Sequence, residues 1–422
     1  MEGNNYKILE LTVAVSGTTP QKELNHALLY ASTKGKAECA KILVSVGKVD
    51  VNVCNTMGMT GLMLAAQHGH DAIIGLLLTF GAFVNSRSVS GASALHYACQ
   101  YGHYNCVLQL LKAGADINTQ DKSGNTSLIA ASKNCRYAPE VMEKLAECEG
   151  CKLNIQNKVG RTALHYVVDQ ADLVSWPGIL LAAGANPNIQ DNEGNTPFML
   201  AATEGFDEVL KCLIAFHCDP DTPNYHGKSP IHFLAQKNHH HVIRFMMDLN
   251  CNFDPIDATG NIPLFYAVNH NRPEAVKALL RANCMLQPNN ENGRVPLTVA
   301  LEKKLWKIGK LLVLAGCDIH PLYPWLEAVE AEARARQRER LTLFEEQLEE
   351  EQQDEELNEA VAWFSDWLYK PHTLQQLTRI FIRACIGDRL VGKGRHLPIP
   401  QALQDYVTLK EVHDHHIEGV LM

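Results

Sequence analysis

Residues 91–118 read GASALHYACQYGHYNCVLQLLKAGADIN. Two short apolar stretches with helical spacing sit inside this run, Gly102 lies between them, and a Gly-Ala-Asp-Ile-Asn tail leads into the next stretch. The pattern recurs. Equivalent glycines stand at Gly58, Gly91, Gly124, Gly160, Gly194, Gly227, Gly260 and Gly293, in steps of 33, 33, 36, 34, 33, 33 and 33 residues. A fixed period of this length means that each unit is one supersecondary element that cannot bury its apolar face alone, so the units stack into a solenoid.

The chemistry within each unit follows the same order. The leading glycine admits positive φ in a tight turn. Two residues later Thr60, Thr126, Thr162, Thr196 or Ser229 is placed to cap the first helix through its hydroxyl. Pro197, Pro230, Pro263 and Pro296 follow, at the one helical position where the missing amide proton costs nothing. The second helix carries its apolar stripe at i, i+3 and i+4, as in Val107, Leu110 and Leu111. This period, with a core similar to Thr-Pro-Leu-His-x-Ala, resembles the ankyrin repeat from about Asn25 to Leu322. The resemblance implies an all-α solenoid of about nine repeats with short hairpin loops, the first repeat degenerate. The expected layout is an N-terminal tail or cap at 1–21, the solenoid at 22–322, an acidic amphipathic helical segment at 323–370, a small helical domain at 371–410 and a tail at 411–422.

Composition narrows the function. No apolar run approaches the length of a membrane span, and residues 1–5 show no basic stretch leading into an apolar one, so no secretory signal is expected. The 13 cysteines are odd in number and scattered, which fits a reducing compartment and an expected cytoplasmic, or partly nuclear, location. The net charge of −9 is matched by the 13 acids and 4 arginines between Glu327 and Glu359, so the rest of the chain is balanced. No broad basic surface is implied, which argues against nucleic acid as a partner.

Three features invite a chemical reading and have a simpler structural one. His96, His165 and His232 occupy the histidine place of the repeat, where imidazole is expected to hydrogen-bond neighbouring backbone. The run His239-His240-His241 is expected to be a solvated turn, since adjacent side chains point apart. Cys148 and Cys151 form a lone C-x-x-C without a second ligand pair, so an irregular repeat end is expected rather than a metal site. The longer steps place extra residues around Asn134–Gly150 and Asp169–Gly178, the latter including Trp176-Pro177, and such insertions are expected to be loops that serve binding.

The last signal begins at Pro371. Leu374, Leu377, Thr378, Phe381 and Ile382 share one helical face, and after a basic loop comes Leu397-Pro398-Ile399-Pro400. The order resembles the suppressor-of-cytokine-signalling (SOCS) box. Its first helix resembles the segment that binds Elongin C, with Thr378 where the family has cysteine. Leu397-Pro398-Ile399-Pro400 is similar to the family's cullin-selecting segment associated with Cullin-5. The whole chain is thereby identified as a member of the ankyrin-repeat and SOCS-box family. That resemblance implies a non-catalytic substrate-recognition subunit of a RING ubiquitin ligase, without a cofactor or metal. Elongin B/C, Cullin-5 with its RING subunit and a protein substrate would be the partners, with no membrane. The competing reading is a scaffold that sequesters a partner without ubiquitin transfer. On the repeats, Arg87, Gln100, Tyr101, Lys133, Arg161, Tyr225, His226, Lys237 and Arg294 are the candidate target contacts, at hairpin tips and the inner face of the first helices.

Overall fold

A computed structural model describes residues 21–46, 49–134, 139–169, 175–249, 251–288, 290, 292–329, 331, 357 and 359–363. The chain divides into two compact units, 1–201 with 208–218 and 202–207 with 219–422. Among the described residues the repeats contribute nine consecutive helix pairs, one pair per repeat, and the one isolated β-bridge joins Cys54 to Thr60. The first five pairs are α1 (Gln21–Lys34) and α2 (Ala37–Ser45), α3 (Gly61–His68) and α4 (Asp71–Thr79), α5 (Ala94–Gln100) and α6 (Tyr104–Lys112), α7 (Ser127–Lys133) and α8 (Pro139–Glu147), and α9 (Ala163–Val168) and α10 (Ser175–Ala182). The sixth pair, α11 (Pro197–Glu204) and α12 (Asp207–Ala215), lies at the division. The second unit continues with α13 (Pro230–Lys237) and α14 (His240–Met246), α15 (Pro263–Asn269) and α16 (Pro273–Arg281), and α17 (Pro296–Glu302) and α18 (Trp306–Leu314).

The helices are short, so tertiary burial rather than propensity holds them. In the first unit Leu95 and Ala98 of α5 and Val107 and Leu110 of α6 are fully buried; in the second, Leu264 of α15 and Val276 and Leu279 of α16 are fully buried. At about 25 cal/mol per Å² of apolar surface, these stripes are the main source of stability.

Helix starts alternate between two devices. Thr60, Thr126 and Thr196 accept from the amides of Met63, Ile129 and Met199 at 3.4, 3.3 and 3.3 Å, a plain hydroxyl cap. In the repeats between them a histidine stands three residues into the helix and closes a capping box. His165 Nδ1 accepts from the Thr162 amide at 3.1 Å, so its Nε2–H donates to the Asn195 carbonyl of the next repeat at 3.2 Å. His96 does the same with the Ser93 amide and Asn125 O, and His232 with the Ser229 amide and Asn261 O. Each imidazole therefore ties its own helix start to the following repeat, the bond to backbone that the sequence leads one to expect.

Every glycine of the period has φ between +68° and +82°. At Gly160 the requirement is double. Its φ is +77°, and a Cβ there would lie 2.5 Å from the Asn192 amide nitrogen. Gly160→Ala should lower stability by about 2–3 kcal/mol, read as a drop in thermal midpoint by circular dichroism. A midpoint equal to wild type would mean that this turn tolerates a side chain.

Two expectations are corrected. Trp176 and Pro177 are not in a loop: they lie in the first turn of α10, and Trp176 is 3 % exposed. Proline suits that position, and the indole packs in the core instead of facing a target. Most of the other insertion is likewise helical, as α8, with Val141, Met142 and Leu145 buried, while 170–174 and 135–138 lie outside the described residues. The histidine run is not a solvated turn either. His239 Nε2 donates to Thr203 O at 3.4 Å, His240 Nδ1 lies 3.2 Å from Asn238 O, and His241 Nε2 lies 2.8 Å from Asp207 Oδ1. The three rings do point apart, as adjacent residues must, but each has a polar neighbour.

Beyond α18, Trp306 and Trp325 pack with ring centroids 5.5 Å apart. Residues 359–363 are helical, with Ala360 fully buried and the Trp363 ring 5.5 Å from Lys310 Nζ of α18. This end of the acidic segment thus returns to the last repeat. Residues 332–356 lie outside the described residues.

Candidate protein-binding surface

Most hairpins are built by one Asx side chain, the Ser88 turn being the exception. Asp121 Oδ1 accepts from the Ser123 and Asn125 amides, both at 2.8 Å, while its own amide donates to Asn125 O at 2.9 Å. Asn157 and Asp191 repeat this at their turns. The turn residues beyond that side chain are left pointing outward. In the first unit, successive tips are bonded through backbone: Val89 N to Met57 O, Lys122 N to Ser90 O, Lys158 N to Ser123 O and Asn192 N to Val159 O, at 2.9, 2.9, 2.9 and 3.1 Å.

A second ladder runs beneath the tips. Gln120 Nε2 donates to Gly124 O at 2.7 Å and to Gln156 O at 3.1 Å; Gln156 Nε2 donates to Gly160 O at 2.7 Å and to Gln190 O at 2.9 Å. Arg87 is its first rung, since Nε donates to Gly91 O at 3.0 Å and Nη2 to Gln120 O. These glutamines were not singled out from the sequence. The available signal was glutamine in one register of three successive repeats.

The candidate contacts separate into two groups. Four are engaged within the chain. Besides Arg87, Lys133 Nζ donates to Asn125 Oδ1 at 3.0 Å and sits 4.7 Å over the Tyr166 ring. Arg161 lies 3.4 Å from Asp191 Oδ2 and 3.8 Å from Asp169 Oδ2, with its guanidinium 5.8 Å from the other cation's ring. Arg294 lies 3.2 Å from Glu302 Oε2. The others present exposed side chains: Gln100 and Tyr101 at the end of α5, with the Tyr101 ring stacked on His103, Tyr225 and His226 at a hairpin tip of the second unit, and Lys237 in the last turn of α13. Tyr225 is 68 % exposed. A large aromatic held at a rigid tip is a low-entropy contact residue.

Among the described residues no group of three or more His, Cys, Asp or Glu side chains is placed to hold a metal. Burial pushes the Cys151 thiol up to about 11, away from the low values of reactive thiols, and Cys148 Sγ donates to Lys144 O at 3.1 Å. No helix among the described residues is long and apolar enough to cross a membrane.

The proposed ligase contacts, Leu374, Leu377, Thr378, Phe381 and Ile382 with Leu397, Pro398, Ile399 and Pro400, lie outside the described residues. The stretch that contains them is matched by a family model. The ankyrin-repeat model, three copies at a time, matches 28–121, 95–176, 127–207, 178–257 and 249–321, and the SOCS-box model matches 370–408. The chain belongs to the ankyrin-repeat and SOCS-box family.

This ankyrin-repeat and SOCS-box protein is also similar to individual proteins through its repeats. It is 29 % identical to the ankyrin repeat protein YahD of Escherichia coli (strain K12) over 201 residues, 46 % of this chain and 97 % of that one. It is 38 % identical over 73 residues to a rice (Oryza sativa subsp. japonica) protein named a probable E3 ubiquitin-protein ligase, XBOS33; the match spans 17 % of this chain and 14 % of the rice protein. Among solved structures, the ankyrin repeat domain of human ASB11 aligns with a TM-score of 0.43 and 29 % identity, covering 48 % of this chain and 89 % of that one.

Proposed function

We propose that this protein is the substrate-recognition adaptor of an Elongin B/C–Cullin-5 type RING ubiquitin ligase, acting in the cytoplasm. The observation that carries this reading is a SOCS box at 370–408, C-terminal to an ankyrin array. The coarse assignment, a SOCS-box substrate adaptor, rests on that architecture. The choice of cullin rests on Leu397-Pro398-Ile399-Pro400, and the Elongin contact on Leu374 to Ile382. The repeats hold the target on hairpin tips and α-helical inner faces, and the chain contributes no catalytic residue.

The test is capture. Full-length protein should retain purified Elongin B/C at micromolar concentration, and a chain lacking 370–408 should not. Pro398→Ala with Pro400→Ala should leave Elongin capture intact and weaken Cullin-5 at least tenfold, since two rigid contact residues are lost. Cullin capture unchanged by that pair would remove the basis for the cullin assignment. The departure at Thr378, where the family has cysteine, favours the scaffold reading if full-length protein captures no Elongin B/C at all.

A further inference from the structure

The bonded tips of the first unit form a ridge with an ordered composition. Met57 and Val89 are 64 % and 58 % exposed on adjacent tips. Lys122 and Lys158 follow, exposed at the same register of the next two hairpins, with Val159 52 % exposed beside Lys158. Glu193 stands at the far end. Among the described residues neither Lys122 nor Lys158 makes an ion pair. The carboxylates along the same ridge are occupied. Asp121 serves its own turn, Asp191 serves its turn and Arg161, Asp169 faces Arg161, and Glu193 Oε2 accepts from Asn195 Nδ2 at 3.1 Å. The ridge therefore runs from apolar to uncompensated positive charge and stops at negative charge.

We propose, on the basis of the adaptor reading above, that this ridge takes an extended acidic segment of the target, with an apolar residue on Met57 and Val89 and carboxylates on Lys122 and Lys158. Packed helices stand roughly 8–10 Å apart, and an extended chain advances about 3.3 Å per residue. A peptide crossing the ridge thus meets a new hairpin about every three residues. Carboxylates at i and i+3, with an apolar side chain about three residues before the first, fit the order of the tips. Because the tips are already joined by backbone bonds, little conformational freedom is lost when the segment lands. Glu193 disfavours continuation of the acidic stretch past Lys158, which sets where that stretch ends on the ridge.

The experiment is selection of a phage-displayed random dodecapeptide library on the immobilised full chain. Wild type should enrich Asp and Glu in pairs three residues apart with an apolar residue on one side. The full chain carrying Lys122→Glu and Lys158→Glu should lose that enrichment, and an acidic winner resynthesised as a free peptide should bind it about tenfold more weakly. Met57→Ser with Val89→Ser should keep the acidic pair and lose the apolar preference. Melting curves verify that these surface variants fold. Acid-poor winners, the same acidic consensus on the doubly reversed chain, or no enrichment would each overturn the proposal. Winners that emerge only after the 8 acids between Glu345 and Glu356 are changed to serine would put this chain's own acidic run on the ridge, and would overturn the assignment to a target. Elongin B/C capture, measured on the same preparations, reports separately on the adaptor reading.

Discussion

Full-length protein carrying Leu374→Ala and Ile382→Ala is expected to lose Elongin B/C capture altogether, while its repeats melt as in wild type. The resemblance assigns Leu374 as the anchor in the Elongin C pocket and Ile382 as the aliphatic contact two turns along the same helix. Truncating one buried leucine removes roughly 1.5–3 kcal/mol, a tenfold to hundredfold loss of affinity. Two such losses together exceed what the remaining contacts, Leu377 and Phe381, can hold at micromolar concentration, and Thr378 offers a hydroxyl where the family offers a soft apolar thiol. The measurement is co-purification followed by titration calorimetry with purified Elongin B/C. Capture by the double variant within threefold of wild type would move the Elongin contact off this helix. The single Thr378→Cys change is the complementary arm and should tighten binding.

The second large effect concerns folding. His165→Ala is expected to cost about 2–4 kcal/mol at neutral pH, because it strands the Thr162 amide and the Asn195 carbonyl in a buried site and leaves a void. His165 is fully buried, and burial pulls its pKa down to about 4. The bond from the Thr162 amide requires an unprotonated Nδ1. Above pH 6.5 the imidazole is neutral whether the chain is folded or not, and its contribution is complete. As the pH falls below 6.5 the unfolded chain takes up a proton that the folded site refuses, so stability is lost progressively until about pH 4, where the folded site titrates as well. The full loss is roughly 3 kcal/mol for this residue. Burial lowers the pKa of His96 and His232 in the same direction. Urea unfolding at pH 7.5, 6 and 5 checks the sign: the stability gap between wild type and His165→Ala should narrow as the pH falls. A gap that widens in acid would mean that the imidazole is charged in the folded protein.

The repeat period and the paired helices were legible because each repeat solves the same local problem with the same residues at the same spacing. The histidine bonds were legible for that reason, since Thr162 and His165 belong to one turn. What the chain order hides is any partner that comes from the neighbouring repeat. Arg87 and Arg161 read as exposed cations, yet one bonds Gln120 O and the other faces Asp191, about 30 residues away. The same distance concealed the Gln120, Gln156 and Gln190 ladder. Trp176 was misread through a different cause: the extra residues before it obscured where α10 begins, so a core indole looked like part of a loop. Conversely, the free charge of Lys122 and Lys158 emerges only once every nearby carboxylate has been assigned a partner.

The bonds that link successive repeats have a mechanical consequence. An imidazole closes the junction of the third repeat with the fourth and of the fifth with the sixth in the first unit, and of the seventh with the eighth in the second. The fourth repeat sends no imidazole to the fifth, yet that seam is held by Asn157 Nδ2, which donates to Asn125 Oδ1 at 2.9 Å, and by the Lys158 N to Ser123 O bond. Other imidazoles reach back across the remaining seams, His70 to Thr33 O and His103 to Gln67 O, so force or protease working inward through the first unit meets a bonded seam at every repeat. A target that grips one repeat of the first unit therefore pulls on its neighbours through those bonds.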